Sequence, residues 1–565
     1  MNKKDAFKKI RKNSTAISIA CVICIFLSIL TRTLCIRGNT EYSFLFVFVS
    51  VVASVISGRI LGIAAEFLYE TTYKNLKNRG IKEEKSWFVF PAAFAVFLLS
   101  YLPCFLAFYP GIAAYDSYVQ IHQIFENSFN DHHPLFHTLM IKAALFVGEK
   151  MFQSLNAGIA LYVIVQCILL AAVFAYGIYL LHKKGMKTYS FAAMIFIAIY
   201  PFNAFMAISV TKDIPFSAFF LLNVLLLIRI VTKGNLKKKI PAAVLLFVST
   251  IMCVLFRNNG KFAIIPLLFA LLVSVIAITV FVGNRKEEKK DLVEIKKNMT
   301  AVICIVSIGV FAGLISLSIA SKALSAQQGD KREMLSVPIQ QIARTYVYHK
   351  DELDEESKAL INEFILYDGA DDYNPSISDP VKSKTNTWVA VNKKKEFVKT
   401  YLKLFKKYPG DYINAFLALN AGFIDVGDES HAHINESKGQ KGLGYVQTKW
   451  SETLYERGFF EDSKLPALKR TYGTFANDNA YLKIPVIKYL FMPGIFLWIC
   501  AALTIYSIKR KNICAVAPLS LIAGYYATMF FGPCVQLRYV YPVMICVPFL
   551  LPMIFKEIQN DNGQE

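Results

Sequence analysis

The sequence predicts an α-helical polytopic membrane protein with about 12 transmembrane helices, one re-entrant or interfacial helix and one mainly helical extracytoplasmic domain. The mean hydropathy of the 565-residue chain is +0.42 and 55% of its residues are hydrophobic, which excludes a soluble protein of this size. Apolar stretches of roughly 20 residues, long enough for a helix to cross a bilayer, recur along the chain. Lysine and arginine are concentrated in alternate loops between these stretches, as in multi-pass membrane proteins.

Each predicted span is an apolar stretch bounded by polar or basic residues. The predicted spans are residues 16–36, 43–65, 86–108, 156–181, 188–208, 214–231, 240–256, 262–282, 300–320, 485–507, 513–531 and 537–555. Residues 134–150 are also apolar but contain Lys142, Glu149 and Lys150. We therefore predict that this segment is re-entrant or interfacial and does not cross.

The basic loops predict the orientation of the chain. They are the N-terminus, 74–85, 183–184, 237–239, 285–297 and 509–511, and the positive-inside rule places them in the cytoplasm. Both termini are then cytoplasmic, and the polar insert 321–484 is an extracellular soluble domain. It separates a transmembrane core, residues 1–320 with an outer loop at 109–155, from the C-terminal transmembrane helices in 485–565. The insert contains no cysteine, which favours a bacterial cell membrane without strong oxidation outside.

The formal charge of +21 does not indicate a nucleic-acid partner. Residues 321–484 contain 23 Lys plus Arg and 23 Asp plus Glu, so the excess positive charge lies outside this domain. We attribute the excess to the inner loops, where it orients the helices and meets anionic membrane lipid.

The predicted topology brings polar residues from several span ends to one outer surface. They are Asp116, Ser117, His132, His133, Lys212, Asp213, Arg257, Asn258, Gln536, Arg538 and Tyr539. Ionisable groups at membrane depth are costly, so their presence indicates a functional site. The convergence predicts an outward-facing polar pocket at the membrane surface.

Such a pocket suits group transfer from a lipid-phosphate donor. A carboxylate acts as general base on an acceptor hydroxyl, cations hold the departing phosphate, and the spans provide a groove for the lipid tail. We assign the base to Asp116 and a second, positioning carboxylate to Asp213. The predicted phosphate ligands are Lys212, Arg257 and Arg538.

Each of these assignments has a structural alternative. Asp116 could cap the following helix, and Lys212 and Asp213 could form a neutralising pair at a helix end. Arg257 could anchor a turn, and Arg538 beside Tyr539 could belong to an interfacial aromatic belt. His133 and His137, four residues apart, could chelate a metal if the segment is helical, although we predict no metal ligands.

Three motifs resemble the GT-C superfamily of membrane glycosyltransferases, which use polyprenyl-phosphate-linked sugars. PGIAAYDS followed by HHPLFH resembles the acidic first outer loop and the His-Pro start of its re-entrant helix. TKDIPF resembles the second acidic position, and QLRYVYP resembles an Arg-Tyr-x-x-Pro feature of late spans. The resemblance covers residues 86–282, loosely 485–555, and not 321–484. The chain has Asp-Ser where several relatives carry Asp-Glu, His-His-Pro where many carry His-Pro-Pro, and two additional N-terminal spans.

The resemblance implies an inverting transfer on the outer face, with Asp116 as the base and Asp213 as the second acidic residue. The implied partners are a polyprenyl-phosphate-sugar donor and a cell-envelope glycan, teichoic acid or lipid acceptor. It implies no certain cofactor and leaves a divalent cation as an option. Two other functions are also compatible with the sequence: a transporter or flippase of lipid-linked glycans, and a non-catalytic scaffold of the same fold.

Overall fold

The fold is taken from a computed structural model of the chain. The structure describes residues 9–38, 42–79, 86–113, 115–281, 286–429, 443 and 452–554. The extreme termini, on which the cytoplasmic prediction partly rests, lie outside the described residues. So do parts of the basic loops 74–85 and 285–297.

The chain is mostly helical, as predicted. The α-helices before residue 330 are α1 Thr15–Arg37, α2 Phe44–Arg79, α3 Val89–Ala107, α4 Tyr115–Glu126, α5 Leu135–Phe152, α6 Leu155–Lys183, α7 Lys187–Ile199, α8 Pro201–Ala207, α9 Asp213–Ile230, α10 Ile240–Phe256, α11 Gly260–Phe281 and α12 Lys286–Ala323. Those after it are α13 Ser336–His349, α14 Glu355–Phe364, α15 Asp379–Ser383, α16 Thr387–Asn392, α17 Lys394–Lys407, α18 Pro409–Leu419, α19 Ala421–Ile424, α20 Glu452–Glu456, α21 Pro466–Ala476, α22 Pro493–Lys509, α23 Val516–Met529, α24 Leu537–Met544 and α25 Val547–Leu550. Short 3-10 turns connect several of them.

Within the described residues, eight helices are long and apolar enough to cross a membrane. They are Thr15–Cys35, Phe44–Thr71, Val89–Ala107, Leu155–Lys183, Asp213–Ile230, Leu236–Phe256, Gly260–Val280 and Lys290–Ala323. Helices α7 and α8 form a ninth candidate that bends by 62° at Pro201, which has no backbone N–H to continue a helix. The apolar helices after residue 490 are shorter. The protein is therefore a helical polytopic membrane protein, and the count of twelve crossings stays a prediction.

Helix α5 corresponds to the segment predicted to be re-entrant or interfacial. It is continuous over 18 residues and is joined to α6 by two residues only, so the helices form a hairpin. A Cβ atom on Gly148 of α5 would lie 2.3 Å from the backbone nitrogen of Gly158 in α6. The close approach of the two backbones therefore requires glycine at this contact.

Two short parallel strands connect distant parts of the membrane core. Strand β1, Ile112–Ala113, pairs with β2, Ser209–Val210, and Ala113 is aligned with Val210. Both strands are fully buried, and two residues are too few for a recognisable sequence pattern. The pairing aligns the start of α4 with the start of α9.

The predicted domain 321–484 has two parts that pack differently. Residues between Ile339 and Tyr412 contribute a hydrophobic core of their own. Buried residues further along, such as Phe459 and Tyr481, belong instead to the core formed by the membrane helices. Helix α21 packs on α3, where the rings of Tyr472 and Phe108 lie 6.2 Å apart. The second part of the insert is thus anchored on the membrane region.

Candidate functional site

The strand pair places Asp116 opposite Lys212. Asp116 lies in the first turn of α4, three residues after β1, and Lys212 follows β2 by two residues. The Lys212 Nζ lies 2.7 Å from Oδ2 of Asp116. The Ser117 hydroxyl donates to the carbonyl of Val210 and fixes α4 against β2. Asp116 therefore pairs with a cation and is not the cap of its helix.

Arg538 joins Asp116 to Asp213. Its Nη1 lies 3.3 Å from Oδ2 of Asp116 and 3.2 Å from Oδ2 of Asp213. The Nε of Arg538 donates to Oε1 of Gln536 at 2.5 Å, and Nη2 lies 3.2 Å from the hydroxyl of Tyr539. These contacts fix the plane of the guanidinium between the two carboxylates.

Arg257 occupies the other side of Asp213. Its Nη1 lies 2.6 Å from Oδ1 of Asp213, which is only 1% exposed. The guanidinium also lies over the rings of Phe216, Tyr525 and Tyr539, at 5.3 to 5.6 Å from their centroids. Such cation–π contacts add to the ion pair in a desolvated site. Arg257 is therefore held more firmly than Lys212.

These five residues form one chain of alternating charge, which we call the charge cluster. In order of contact they are Lys212, Asp116, Arg538, Asp213 and Arg257. Their side chains are between 1% and 18% exposed, so the charges interact in a medium of low dielectric constant. Three cations and two carboxylates leave one excess positive charge, which favours the binding of an anion.

The cations keep Asp116 ionised. Burial by itself raises the pKa of a carboxyl group, but the positive charges of Lys212 and Arg538 outweigh burial. The pKa of Asp116 therefore lies well below its usual range. While both cations remain in contact with it, Asp116 is a weak base.

His133 contacts the cluster as a neutral side chain. Its Nδ1 lies 3.1 Å from Nζ of Lys212, and because an ammonium group has only donors, Nδ1 accepts. Burial and the charge of Lys212 lower the pKa of His133 from 6.5 to about 3. His133 thus positions Lys212 without adding a charge at neutral pH.

Three residues predicted to contact substrate have other partners. Ser117 is fully buried and bonded to the backbone of β2. The Asn258 amide donates to the carbonyls of Asp131 and His132, so it holds the loop before α5. The ring of His132 is exposed, and its centroid lies 4.5 Å from that of the His133 ring in an edge-to-face arrangement. These residues support the cluster from outside it.

Several supporting residues were not predicted from the sequence. The Thr211 hydroxyl lies 3.3 Å from Oδ2 of Asp213. Thr211 directly precedes Lys212 and Asp213 in the sequence, and this position could have identified it as a supporting residue. Phe216 and Tyr525 are aromatic residues inside predicted spans, where nothing in the sequence distinguishes them from core residues.

The arrangement does not fit a metal ion. Among the described residues no group of three or more His, Cys, Asp or Glu side chains could hold one. Arg538 occupies the position between the two carboxylates, and His137 uses both ring nitrogens on Gln120 and Tyr162, at 2.7 Å each.

The insert holds the loop that carries His133. The backbone nitrogen of Gln327 donates to the carbonyl of Phe129 at 2.9 Å, and that of Asp131 donates to the carbonyl of Gln327 at 3.0 Å. The Asp131 carboxylate also accepts from the backbone of Gly329. The start of the insert is therefore bonded to the loop one residue away from His132.

We expect Gly329→Ala to destabilise the protein by about 1–3 kcal/mol, a usual cost of overpacking. An added Cβ would lie 2.9 Å from the backbone of His132. The matched control is Gly410→Ala, because nothing lies within 4 Å of a Cβ at that position. Thermal unfolding of the two detergent-solubilised variants compares them, and equal midpoints would show that the loop tolerates the contact.

Comparison with known proteins gives a family but no activity. Residues 124–565 match the sequence profile of DUF6020, described as a family of unknown function. The matched region includes Lys212, Asp213, Arg257 and Arg538, and begins after Asp116. No curated protein and no solved structure matches the chain. Because the match extends over more than half of its length, the protein belongs to the family of unknown function DUF6020.

Proposed function

We propose that this protein is a membrane glycosyltransferase that uses a polyprenyl-phosphate-sugar donor and acts at the charge cluster. The acceptor is a cell-envelope glycan, teichoic acid or lipid on the outer face of a bacterial membrane. The observation that carries the proposal is the cluster itself, in which three cations and two carboxylates meet beside the start of the candidate span α9 and the end of the candidate span α10. The resemblance to the GT-C superfamily agrees with it.

The excess positive charge suits the change in charge during transfer. A polyprenyl-phosphoryl sugar is a phosphodiester with one negative charge. When the bond between the anomeric carbon and the phosphate oxygen breaks, the electron pair stays on the phosphate, which gains a second negative charge. Cations positioned at this oxygen stabilise the transition state more than the bound donor, and this difference accelerates the reaction.

The two carboxylates have different roles: Asp116 accepts the proton of the acceptor hydroxyl, and Asp213 positions Arg538. The acceptor oxygen forms the new bond to the anomeric carbon, and its proton passes to Asp116. As the phosphate attracts Lys212 and Arg538, these cations neutralise Asp116 less, so the pKa of Asp116 rises and it becomes a better base. Asp213, held by Arg257, keeps Arg538 in place between phosphate and base.

Transport is supported less well. Transporters commonly bind substrate and ions at breaks in their helices near the middle of the membrane, and ionisable residues within spans mark such pathways. The bend between α7 and α8 has the sequence YPFNAFMAI at residues 200–208, without a charged residue. The charged residues lie instead at the ends of other helices.

The proposal is tested by measuring transfer of labelled sugar from a polyprenyl-phosphate hexose, with the full chain in native membranes. We expect Asp116→Asn to lower the rate about 10²-fold, as for loss of a general base. Asp371→Asn, at an exposed position of the insert, is the matched control and should leave the rate unchanged.

The outcomes separate the alternatives. Equal rates for Asp116→Asn and the wild type would exclude Asp116 as the base. Wild-type membranes that move the lipid-linked hexose between leaflets without transferring it would support transport. Membranes that do neither, with the protein present at normal levels, would favour a scaffold.

A further inference from the structure

Helix α17 has more apolar surface than its own domain covers. Its buried side chains are Phe397, Thr400 and Leu404. A second apolar strip lies beside them, with Val398, Leu402 and Phe405 exposed by 43%, 48% and 43%. Because positions four and three residues apart lie on the same side of a helix, these three side chains form one continuous strip.

Lysines flank this strip. Residues 393–407 include seven lysines and one glutamate. Three of these lysines pair with acidic residues of the same domain, in the pairs Lys393–Glu363, Lys399–Glu356 and Lys403–Asp354. Lys394, Lys395 and Lys406 are exposed and form no ion pair with any residue that the structure describes. At 100° per residue, Lys395 and Lys406 lie on one side of the strip and Lys394 on the other.

The position of α17 in the fold is close to the end of a membrane span. Gly38 caps the C-terminus of α1, and the Arg344 guanidinium in α13 donates to the Gly38 carbonyl. Helix α18 also packs against α1. The ring of Tyr412 in α18 lies 5.4 Å from that of Phe405 in α17. Helix α17 is therefore one helix away from the span that marks the membrane boundary.

We propose that α17 lies on the surface of the membrane that the protein spans. The apolar side chains of Val398, Leu402 and Phe405 enter the interface, and Lys394, Lys395 and Lys406 contact anionic lipid headgroups. Apolar residues beside lysines on one helix are the pattern of interfacial helices. An acidic polymer would attract the lysines but would leave the apolar strip in water, so we favour lipid. This inference does not depend on the proposed transfer activity.

The test uses the full chain in nanodiscs of phosphatidylcholine and phosphatidylglycerol. Phe405→Trp and, separately, Leu402→Trp add a fluorophore to the strip, and monodisperse gel filtration verifies that each variant is folded. We expect lipids brominated on their acyl chains to remove most of the added emission, and aqueous acrylamide to affect it little. In the Phe405→Trp background, adding Lys395→Glu and Lys406→Glu should weaken the bromolipid quenching.

Two results would overturn the proposed position of the helix on the membrane. One is added emission that acrylamide quenches and bromolipid does not. The other is added emission that shifts on addition of soluble polyglutamate while bromolipid has no effect, which would assign the helix to an acidic polymer. Quenching by bromolipid that the two lysine replacements leave unchanged would also contradict the role of the lysines.

Discussion

Replacement of Arg538 by glutamine is expected to abolish transfer and to lower the free energy of unfolding by about 3–5 kcal/mol, the usual cost of breaking a buried charge pair. Its guanidinium is the common partner of Asp116 and Asp213. Without it, two buried carboxylates face each other, each with a single cation. The phosphate also loses its central ligand.

Two further variants test whether the loss of stability in Arg538→Gln comes from its bridging position. Arg332→Gln removes an arginine from an exposed pair with Asp330 and should cost less than about 1 kcal/mol. Adding Asp213→Asn to Arg538→Gln removes the repulsion between the two carboxylates but leaves Arg257 without its carboxylate, so it should restore neither the stability nor the transfer. Thermal unfolding and the transfer assay give both quantities. Wild-type stability of Arg538→Gln would contradict its role as a bridge.

Acidification is expected to destabilise the protein through His133. The unfolded chain protonates this histidine near pH 6.5, whereas in the folded protein its pKa is about 3. The unfolded state therefore binds the proton first as the pH falls. The contribution of His133 to stability is fully present above pH 6.5 and decreases by about 1.4 kcal/mol for each pH unit between pH 6.5 and 3. At pH 4.5 the loss is about 3 kcal/mol.

The measurement is the pH dependence of unfolding for wild type and His133→Asn. Asparagine presents a polar group near Lys212 but does not titrate, so the difference between the two proteins should shrink as the pH falls below 6.5. His122→Asn, which retains His133, should follow the wild type. Parallel curves for wild type and His133→Asn would show that His133 is solvated in the folded protein.

The helices were largely predictable because long apolar segments have few alternatives in a membrane. The span predicted at 86–108 is observed at Val89–Ala107, and that predicted at 156–181 is observed at Leu155–Lys183. The bend inside the predicted span 188–208 was not predicted, although Pro201 marks it. Its geometry depends on tertiary contacts, such as the bond from the Tyr200 hydroxyl to the Leu490 carbonyl at 2.8 Å.

The members of the charge cluster were predictable, but their pairing was not. Alternation of the spans grouped Asp116, Lys212, Asp213, Arg257 and Arg538, and the structure brings all of them into contact. The sequence suggests that the adjacent Lys212 and Asp213 pair with each other. Neighbouring residues at a helix start point in different directions, so Lys212 instead reaches Asp116. The strands that decide this pairing are too short to be recognised.

The β1–β2 pairing also determines which fragments of this chain are meaningful to express. A fragment confined to the family match, residues 124–565, would omit β1, Asp116 and Ser117. The fragment would keep the three cations of the charge cluster, Lys212, Arg257 and Arg538, but only one of its carboxylates, Asp213. The cluster would then carry two excess positive charges in a largely buried position. Studies of the isolated matched region would therefore describe an incomplete site, and a fragment for functional work has to begin before β1.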